Sequence, residues 1–299
     1  MNDQAGSPGD GGPVPTFVGC GYTIAGKGGA AVTEPVVQTY QTRSGPMLAL
    51  RTDFYMTRAL ELYGESCLAE WRLLEQLIRP GMTVVEVGAN MGTHSVSMAR
   101  ACAPAPFYAF EPQPRIFQVL CANLALNDIA NAFAYPEGLG EAEGRAVVPL
   151  VDYGRQGNFG GLELQPEGAV GIQVRIRSLD SFELPSCGLI KIDVEGFEPQ
   201  VLRGARQTIA RCRPLLYVEN DRQAQQQEII SLIAGMGYRL FWHTPPLFSP
   251  DNFNGVQENI FPGIVSVNML CIPNERRTVM QGFKEIDPAN WTLPVQLHR

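Results

Sequence analysis

The clearest hydrophobic pattern in the chain is a short apolar run that ends in glycines. The run at 84–87 reads Val-Val-Glu-Val, and its β-branched residues are typical of a strand buried on both faces of a parallel sheet. Gly88 and Gly92 bracket the turn that follows, and the segment 93–100 has a helical pattern. Free N–H groups at the start of such a helix can face a ligand, and the missing glycine side chains let that ligand come close.

Apolar strands and helical segments alternate along the rest of the chain. Further strands are predicted at 107–110, 132–135, 189–193 and 215–218, with a closing strand pair at 237–243 and 264–271. Helices are predicted at 53–62, with Asp53 as the cap, and at 67–78, 114–126, 199–209 and 223–236. This alternation indicates an α/β protein with a mostly parallel sheet. Ligands of such sheets bind at the carboxyl ends of the strands, so the loops there form the candidate site.

An acidic residue marks the end of the second strand. Glu111 follows the strand at 107–110, which is the position where an acid grips the ribose hydroxyls of a nucleoside. The Gly-x-x-x-Gly spacing alone fits any strand-to-helix turn, and it lacks the middle glycine of the dinucleotide-binding Gly-x-Gly-x-x-Gly pattern. Together, the glycine turn and Glu111 predict a nucleoside-binding site.

A second polar cluster follows the strand at 189–193. Asp193, Glu195 and Glu198 place three carboxylates around a turn at Gly196. Capping of the next helix also explains Glu195 and Glu198, because acids stabilise the positive end of a helix. Asp193 ends a buried strand, so its carboxylate is expected to point into the crevice where a reacting group would lie.

Composition excludes several classes of protein. The chain has 299 residues, 45% of them hydrophobic and 18% charged, which describes a soluble globular protein. A net charge of −7 argues against a general binder of nucleic acids or anionic membranes, which rely on an excess of Lys and Arg. No apolar run approaches the roughly 18 residues of a membrane span, and no signal peptide is visible, so we expect a cytoplasmic protein without a transmembrane segment. The seven cysteines include no C-x-x-C pair and are expected to be reduced and mostly buried.

The two glycine turns and their flanking residues resemble the FkbM family of S-adenosylmethionine-dependent methyltransferases. The matching segments are 87–92, 110–112, Asn123 with Asn127, 190–198, 202–205 and 216–219. The resemblance covers about residues 40 to 271, and its most specific part is the Lys-Ile-Asp-Val-Glu-Gly run that begins at Lys191. It implies a Rossmann-like, seven-stranded class I methyltransferase sheet that is mostly parallel, with the last strand antiparallel and helices on both faces. It also implies S-adenosyl-L-methionine as the cofactor and methyl transfer to a hydroxyl of a sugar, glycolipid or natural-product acceptor.

The resemblance also suggests which residues hold the cofactor. Glu86 and Asn90 would bracket its methionine end, Gly88 and Gly92 would admit its backbone, and Glu111 would hold the ribose. The full set of cofactor-binding candidates is Tyr63, Glu70, Glu86, Gly88, Ala89, Asn90, Gly92, Glu111, Pro112, Leu139 and Gly140. In that set, Leu139 and Gly140 would flank the adenine, and Tyr63 and Glu70 would close the methionine side.

Methyl transfer to an unactivated hydroxyl needs alignment and benefits from a general base. Asp193 is the first candidate for deprotonating or orienting the hydroxyl, and Glu195 lies beside it. His243, at the end of a predicted strand, is the second candidate for the base, although a purely structural role also explains it. A further hypothesis, which is not favoured, places Mg²⁺ on Asp193, Glu219 and Asn220, because hard oxygen ligands suit that ion. Turnover that EDTA leaves unchanged would exclude the metal.

The predicted organisation has four parts. They are a flexible Gly/Pro-rich segment at 1–33, a helical extension beside the cofactor at 34–80, the methyltransferase domain at 81–272 and a tail at 273–299. The polar loop at 158–161, which lies between strand-like stretches at 146–151 and 170–177, is a candidate lid. The long loop at 244–263 is a second lid or a binding wall. Two alternatives stay open: a nicotinamide-dependent oxidoreductase, and a non-catalytic nucleoside-binding protein on the same fold.

Overall fold

The computed structural model describes residues 35–277 and 280–295 of the chain. The predicted flexible segment at 1–33 lies outside the described residues, and the other proposed boundaries stay predictions. The strands are β1 (Val37–Thr42), β2 (Gly45–Leu50), β3 (Val84–Val87), β4 (Phe107–Phe110), β5 (Ala132–Tyr135), β6 (Glu137–Leu139), β7 (Gly144–Pro149), β8 (Gln165–Pro166), β9 (Gly171–Arg177), β10 (Leu189–Ile192), β11 (Leu215–Glu219), β12 (Tyr238–His243), β13 (Asn268–Pro273) and β14 (Lys284–Glu285). The helices are α1 (Met56–Tyr63), α2 (Leu68–Leu77), α3 (Ser95–Cys102), α4 (Pro114–Leu126), α5 (Glu198–Gly204), α6 (Arg206–Cys212) and α7 (Gln226–Gly235), with a 3-10 turn at Leu179–Phe182.

The central sheet has the strand order β14-β12-β13-β11-β10-β3-β4-β5. Strands β5, β4, β3, β10 and β11 run parallel to one another, whereas β13 runs antiparallel to both β11 and β12. Without the two-residue edge strand β14, which pairs with β12, this is a seven-stranded sheet whose last strand is antiparallel. The fold class predicted from the sequence, a Rossmann-like class I methyltransferase sheet, is confirmed.

Both faces of the sheet are buried, which explains why its strands are apolar at consecutive positions. Val84 lies in a core cluster on one face with Met98 of α3 and Leu120 of α4. Val85 lies in the cluster on the other face with Val201 of α5. Helices therefore cover the sheet on both sides, and the free edge for a ligand is the row of loops at the carboxyl ends of the strands.

A second, smaller sheet has the strand order β6-β9-β7-β8. The sequence predicted strands near 146–151 and 170–177 but not their separation into a sheet of their own. The inward side of this sheet is small, consisting of Ala146, Val148, Val174 and Ile176. The chain between β7 and β9 places the loop at 158–161 beside the residues that follow β3 and β4.

The segment at 34–80 contains a β-hairpin as well as the predicted helices. Strands β1 and β2 pair with Thr42 opposite Gly45, so the turn lies at residues 43 and 44. Asn123 of α4 fixes the hairpin, because its Oδ1 accepts the N–H of Leu48 at 2.6 Å and its Nδ2 donates to the Leu48 carbonyl at 2.8 Å. The same Nδ2 donates to the Met91 carbonyl at 2.7 Å, which ties hairpin, helix and glycine turn together.

Two further sequence expectations bear on the class of protein. None of the helices described is long and apolar enough to cross a lipid bilayer. The six cysteines within the described ranges are free thiols, and four of them are buried. Cys20 lies outside those ranges.

Candidate active site

The turn after β3 has a geometry that only glycine tolerates. Gly88 has φ +84°, and a Cβ there would lie 1.7 Å from the carbonyl oxygen of Asp193. The ends of β3 and β10 are therefore in direct backbone contact. Asn90 also has a positive φ of 50°, a conformation that asparagine adopts more readily than most residues, and its Oδ1 accepts the N–H of Met91 at 2.7 Å.

We expect Gly88→Ala to be much more destabilising than Gly81→Ala. Both glycines have φ +84°, but nothing lies within 4 Å of a Cβ at Gly81. The control should therefore report the cost of the backbone conformation alone, about 1 to 2 kcal/mol, whereas Gly88→Ala should cost at least about 2 kcal/mol more because β10 must move. Chemical denaturation measures both; equal losses would show that β3 and β10 are not packed so closely.

A cleft of about 230 Å³ opens at the carboxyl ends of β3, β4 and β10. Seven of the predicted residues line it: Gly88, Asn90, Glu111, Pro112, Leu139, Asp193 and Glu195. Lining residues that sequence reasoning missed include Tyr55, Met56, Gln113, Glu137, Gly138, Leu162, Leu164 and Phe197. Most of these lie in segments whose position depends on the second sheet or on α1, so no local pattern marked them.

Glu111 closes the glycine turn against the end of β4. Its carboxylate accepts the N–H of Asn90 at 3.0 Å and the N–H of Gln113 at 2.8 Å, one on each oxygen. The residue is only 4% exposed, and this burial raises the pKa of its carboxyl group to about 7. Each carboxylate oxygen has a second lone pair, so Glu111 can hold two further hydroxyl donors from a ligand in the cleft.

A second cavity of about 150 Å³ adjoins the cleft. The predicted residues Glu70, Glu86 and Ala89 line this cavity, together with His94 and Lys191. Tyr55, Met56, Gly88 and Asp193 line both cavities. Asp193 therefore lies at the junction of the two cavities.

The second cavity is lined by three carboxylates and by one buried ammonium group, that of Lys191. Lys191 Nζ lies 2.8 Å from Asp193 Oδ2, 3.7 Å from Glu70 Oε1 and 4.0 Å from Glu86 Oε1. Burial raises the pKa of Glu86 to about 7 in spite of Lys191 and of the hydrogen bond from Ser95. His94 approaches Glu70 Oε1 with Nδ1 at 3.6 Å, and burial lowers the pKa of its imidazole.

Glu195 and the loop at 158–161 form the wall of the larger cleft next to Asp193. Glu195 accepts a hydrogen bond from Arg222, which also bonds Glu163, and burial raises the pKa of Glu195 to about 7. Glu198 lies in the first turn of α5, where an acid is favourable, and its carboxylate accepts the N–H groups of residues 194 and 196 at 3.1 Å, which fixes the turn before the helix.

The candidate lid at 158–161 is anchored through Phe159, whose N–H and carbonyl groups both have partners outside the loop. Phe159 is buried, its N–H donates to Asp53 Oδ2 at 3.2 Å, and its carbonyl accepts from Gln113 Nε2 at 2.9 Å. The other oxygen of Asp53 accepts the N–H of Met56 at 2.7 Å at the start of α1, which confirms Asp53 as a helix cap. The loop thus joins α1 to the end of β4 across the cleft; its opening and closing stay a prediction.

The structure places Tyr63 and His243 outside both cavities. The Tyr63 hydroxyl donates to the carbonyl of Glu258 at 3.0 Å and accepts the N–H of Ile260 at 2.9 Å, so it anchors the long loop. His243 Nδ1 is 2.7 Å from the hydroxyl of Tyr217, and burial lowers the pKa of the imidazole to about 4. Neither side chain is placed to touch a ligand in the cleft.

Two predicted glycines also serve packing and do not line a cavity. A Cβ at Gly92 would lie 2.8 Å from Leu120 Cδ1, so this glycine admits α4. The carbonyl oxygen of Gly140 would lie 1.9 Å from a Cβ at Gly204, so β6 and α5 meet there. The residues next to Gly140, Gly138 and Leu139, line the cleft in its place.

Of the residues weighed for a metal, Asp193 and Glu219 interact, whereas Asn220 is directed elsewhere. Within 35–277 and 280–295, no group of three or more His, Cys, Asp or Glu side chains is arranged to hold a metal ion. Asn220 directs its Nδ2 toward the carbonyl of Gln226 at 3.5 Å and the sulfur of Met269 at 3.4 Å, inside the protein.

Comparison with known proteins gives a family match and several partial relatives. The family model described as the methyltransferase FkbM domain matches residues 86–240. The methyltransferase sdnD of Sordaria araneosa is 31% identical over 157 residues, covering 40% of this chain and 59% of that protein. The hexuronic acid methyltransferase AglP of Haloferax volcanii is 29% identical over 151 residues, covering 49% of this chain and 59% of that protein.

The chain thus spans about three fifths of the length of these curated relatives. A solved structure of the methyltransferase FkbM from Methylobacillus flagellatus KT aligns with a TM-score of 0.41 at 17% identity, covering 68% of this chain and 50% of that chain. The family model spans the glycine turn after β3, Glu111 and the Asp193 segment, and it covers just over half of the sequence. On this match, the chain belongs to the FkbM methyltransferase family.

Proposed function

We propose that this protein is an S-adenosyl-L-methionine-dependent O-methyltransferase that acts on a hydroxyl of a sugar, glycolipid or natural-product acceptor. The observation that carries the proposal is the meeting of two cavities at Gly88 and Asp193. One cavity contains the buried acid Glu111, and the other contains Glu70 and Glu86. An elongated ligand with a ribose and a cationic amino-acid end fits this distribution of charge.

The residues present suit such a cofactor. Glu111 has free lone pairs for two ribose hydroxyls, and Pro112 and Leu139 supply apolar surface for an adenine ring. Glu70 and Glu86 supply carboxylates for an α-ammonium group. When bound, the cofactor supplies an electrophilic methyl carbon on a sulfonium centre.

The chain's own residues then have to receive the acceptor hydroxyl. The Asp193 side chain is 37% exposed at the junction, so one of its oxygens can accept a hydrogen bond from the hydroxyl. Burial alone would raise the pKa of Asp193, but Lys191 lowers it below its ordinary value, so the carboxylate is ionised near neutral pH. A carboxylate of low pKa orients a hydroxyl better than it deprotonates it, whereas Glu195, with a pKa of about 7, is better matched to take up the proton.

The polar wall supports a polyhydroxylated acceptor. Asn158 and Glu195 face the cleft with hydrogen-bonding groups, and Leu162 and Leu164 offer apolar surface beside them. Pockets that recognise sugars and natural products combine such groups. The name of the Haloferax relative, a hexuronic acid methyltransferase, also supports a sugar as the acceptor.

Calorimetry with three nucleotide ligands tests the cofactor assignment. We expect micromolar binding of S-adenosylhomocysteine and no binding of NAD or NADP. Tight binding of either dinucleotide would favour an oxidoreductase and overturn the proposal. A methyl-transfer assay across extracted glycolipids, sugars and uronic acids then separates an enzyme from a protein that only binds the nucleoside.

A further inference from the structure

A lysine lies within a fully buried strand of the main sheet, β10. All four residues of β10 are buried, and Lys191 is 3% exposed. It lies opposite Glu86 of β3 and opposite Tyr217 of β11 in the register of the sheet. Lysine is almost never buried to this extent without a partner, because taking an ammonium group out of water is costly.

The nearest partner of Lys191 is Asp193, the more exposed residue that follows β10. Lys191 Nζ and Asp193 Oδ2 are 2.8 Å apart, a charge-assisted hydrogen bond. The lysine side chain is 4% exposed and the aspartate side chain 37%. The ammonium group therefore approaches Asp193 from the protein interior, which leaves the outer part of the carboxylate open to the junction of the two cavities.

The other titratable groups that interact with Asp193 are mostly acidic. They are Glu86 of β3, His94 before α3, Glu111 after β4, Glu195 and Glu198 beside α5, and Glu219 and Asp221 at the end of β11, together with Cys67 and Tyr217. Burial raises the pKa of Asp193, whereas the Lys191 ammonium above all, and then a hydrogen bond with Glu219 and the charge of His94, lower it. The hydroxyl of the substrate needs a hydrogen-bond acceptor at this point. A protonated Asp193 would present a hydrogen-bond donor to it instead.

We propose that Lys191 is a positioning residue, whose ammonium group fixes the orientation and the negative charge of the Asp193 carboxylate at the junction where the acceptor hydroxyl is received. The inference rests on the proposed function and deepens it. It assigns the buried lysine to the chemistry of the cleft as well as to the stability of the sheet. The claim is tested first without any acceptor, because the charge of Asp193 is measurable in the protein alone.

The primary measurement is the titration of Asp193 by ¹³C NMR of protein labelled at the aspartate carboxyl carbons. The Asp193 signal is assigned as the one that Asp193→Asn removes. In the wild-type protein we expect Asp193 to stay ionised from pH 8 down to pH 5. In Lys191→Met its midpoint should rise by at least about one pH unit, which is the size of shift that an adjacent opposite charge produces. Lys191→Arg, which keeps the charge, should restore most of the wild-type behaviour.

Lys284→Met is the matched control. Lys284 lies on the exposed strand β14, where its Nζ bonds Thr292 Oγ1 at 3.2 Å. This variant should leave the Asp193 titration unchanged. An Asp193 midpoint in Lys191→Met that equals the midpoint in Lys284→Met would overturn the proposal.

Two further arms keep the result interpretable. If Lys191→Met does not fold, Lys191→Met/Glu86→Gln removes one buried carboxylate together with the ammonium group, and its Asp193 midpoint must exceed that of Glu86→Gln alone. With an acceptor that the wild-type enzyme methylates, the acid limb of the kcat profile should move to higher pH in Lys191→Met and return in Lys191→Arg.

Failure of wild-type protein to bind S-adenosylhomocysteine would defeat the proposed function and leave the NMR comparison intact. Normal binding with an unmoved Asp193 titration would defeat this inference alone.

Discussion

Asp193→Asn is expected to lower turnover at least tenfold while S-adenosylhomocysteine binds with nearly normal affinity. The amide keeps the shape of the side chain but loses the charge at the junction of the two cavities, and groups that hold or accept a proton in a transition state typically contribute 10²- to 10⁴-fold. The cofactor candidates Glu111, Glu70 and Glu86 are untouched. Turnover is measured with the acceptor found in the methyl-transfer panel, and affinity by calorimetry.

The control for this substitution is Asp180→Asn. Asp180 accepts the N–H groups of Gln207 and Thr208 at the start of α6, so its loss affects stability without touching the cleft. Both variants are assayed below their melting temperatures, because Asp193→Asn also leaves Lys191 without its closest partner. Retained turnover in Asp193→Asn would mean that this aspartate is structural and that the crevice is misassigned.

Glu111→Ala is expected to weaken S-adenosylhomocysteine binding by about tenfold to a hundredfold. Hydrogen bonds to a charged group contribute roughly 1.5 to 3 kcal/mol, and each 1.4 kcal/mol is about a factor of ten in affinity. Because the pKa of Glu111 is raised to about 7 by burial, the ionised acceptor becomes more abundant as the pH rises from 6 to 8. Wild-type affinity should therefore increase over that range, and the dependence should be weaker in Glu111→Ala, where Glu86, whose pKa is also about 7, still titrates at the other end of the site.

Glu141→Ala provides a control on the neighbouring loop, since Glu141 is exposed and does not line the cleft. It should leave both the affinity and its pH dependence unchanged. Unchanged affinity in Glu111→Ala, with the protein folded as judged by its melting curve, would count against the ribose role.

The convergence of Gly88, Glu111 and Asp193 was predictable from the sequence for a simple physical reason. Each residue ends a short apolar strand, and parallel strands present their carboxyl ends at one edge of the sheet. The short spacing between the glycine turn and Glu111 indicated that the first two strands follow each other directly. Local patterns of this kind predict this convergence correctly because these strands, β3 and β4, are also neighbours in the sheet.

The position of His243 was not predictable in the same way. Its strand, β12, follows β11 in the sequence, but β13 inserts between them in the sheet. That insertion moves the end of β12 away from Asp193 on β10. This arrangement depends on the pairing of residues 268–271 with β11, which no local pattern indicates.

The environment of Lys191 was likewise hidden in the sequence. The Lys-Ile-Asp run identified a family motif, but the partners Glu70 and Glu86 come from α2 and β3, more than a hundred residues earlier. The loop at 158–161 is held at the cleft by the bonds of Phe159 to Asp53 and Gln113, which lie about fifty to a hundred residues earlier in the chain. Contacts of this range depend on the tertiary fold and leave no periodic signal.

A crystal structure of the protein with S-adenosylhomocysteine tests the central claim most directly. The account predicts ribose hydroxyls within hydrogen-bond distance of the Glu111 carboxylate, the amino-acid end near Glu70 and Glu86, and the sulfur facing the junction where Gly88 and Asp193 meet. A nucleoside bound at any other edge of the sheet, or an Asp193 side chain turned into the interior, would contradict it.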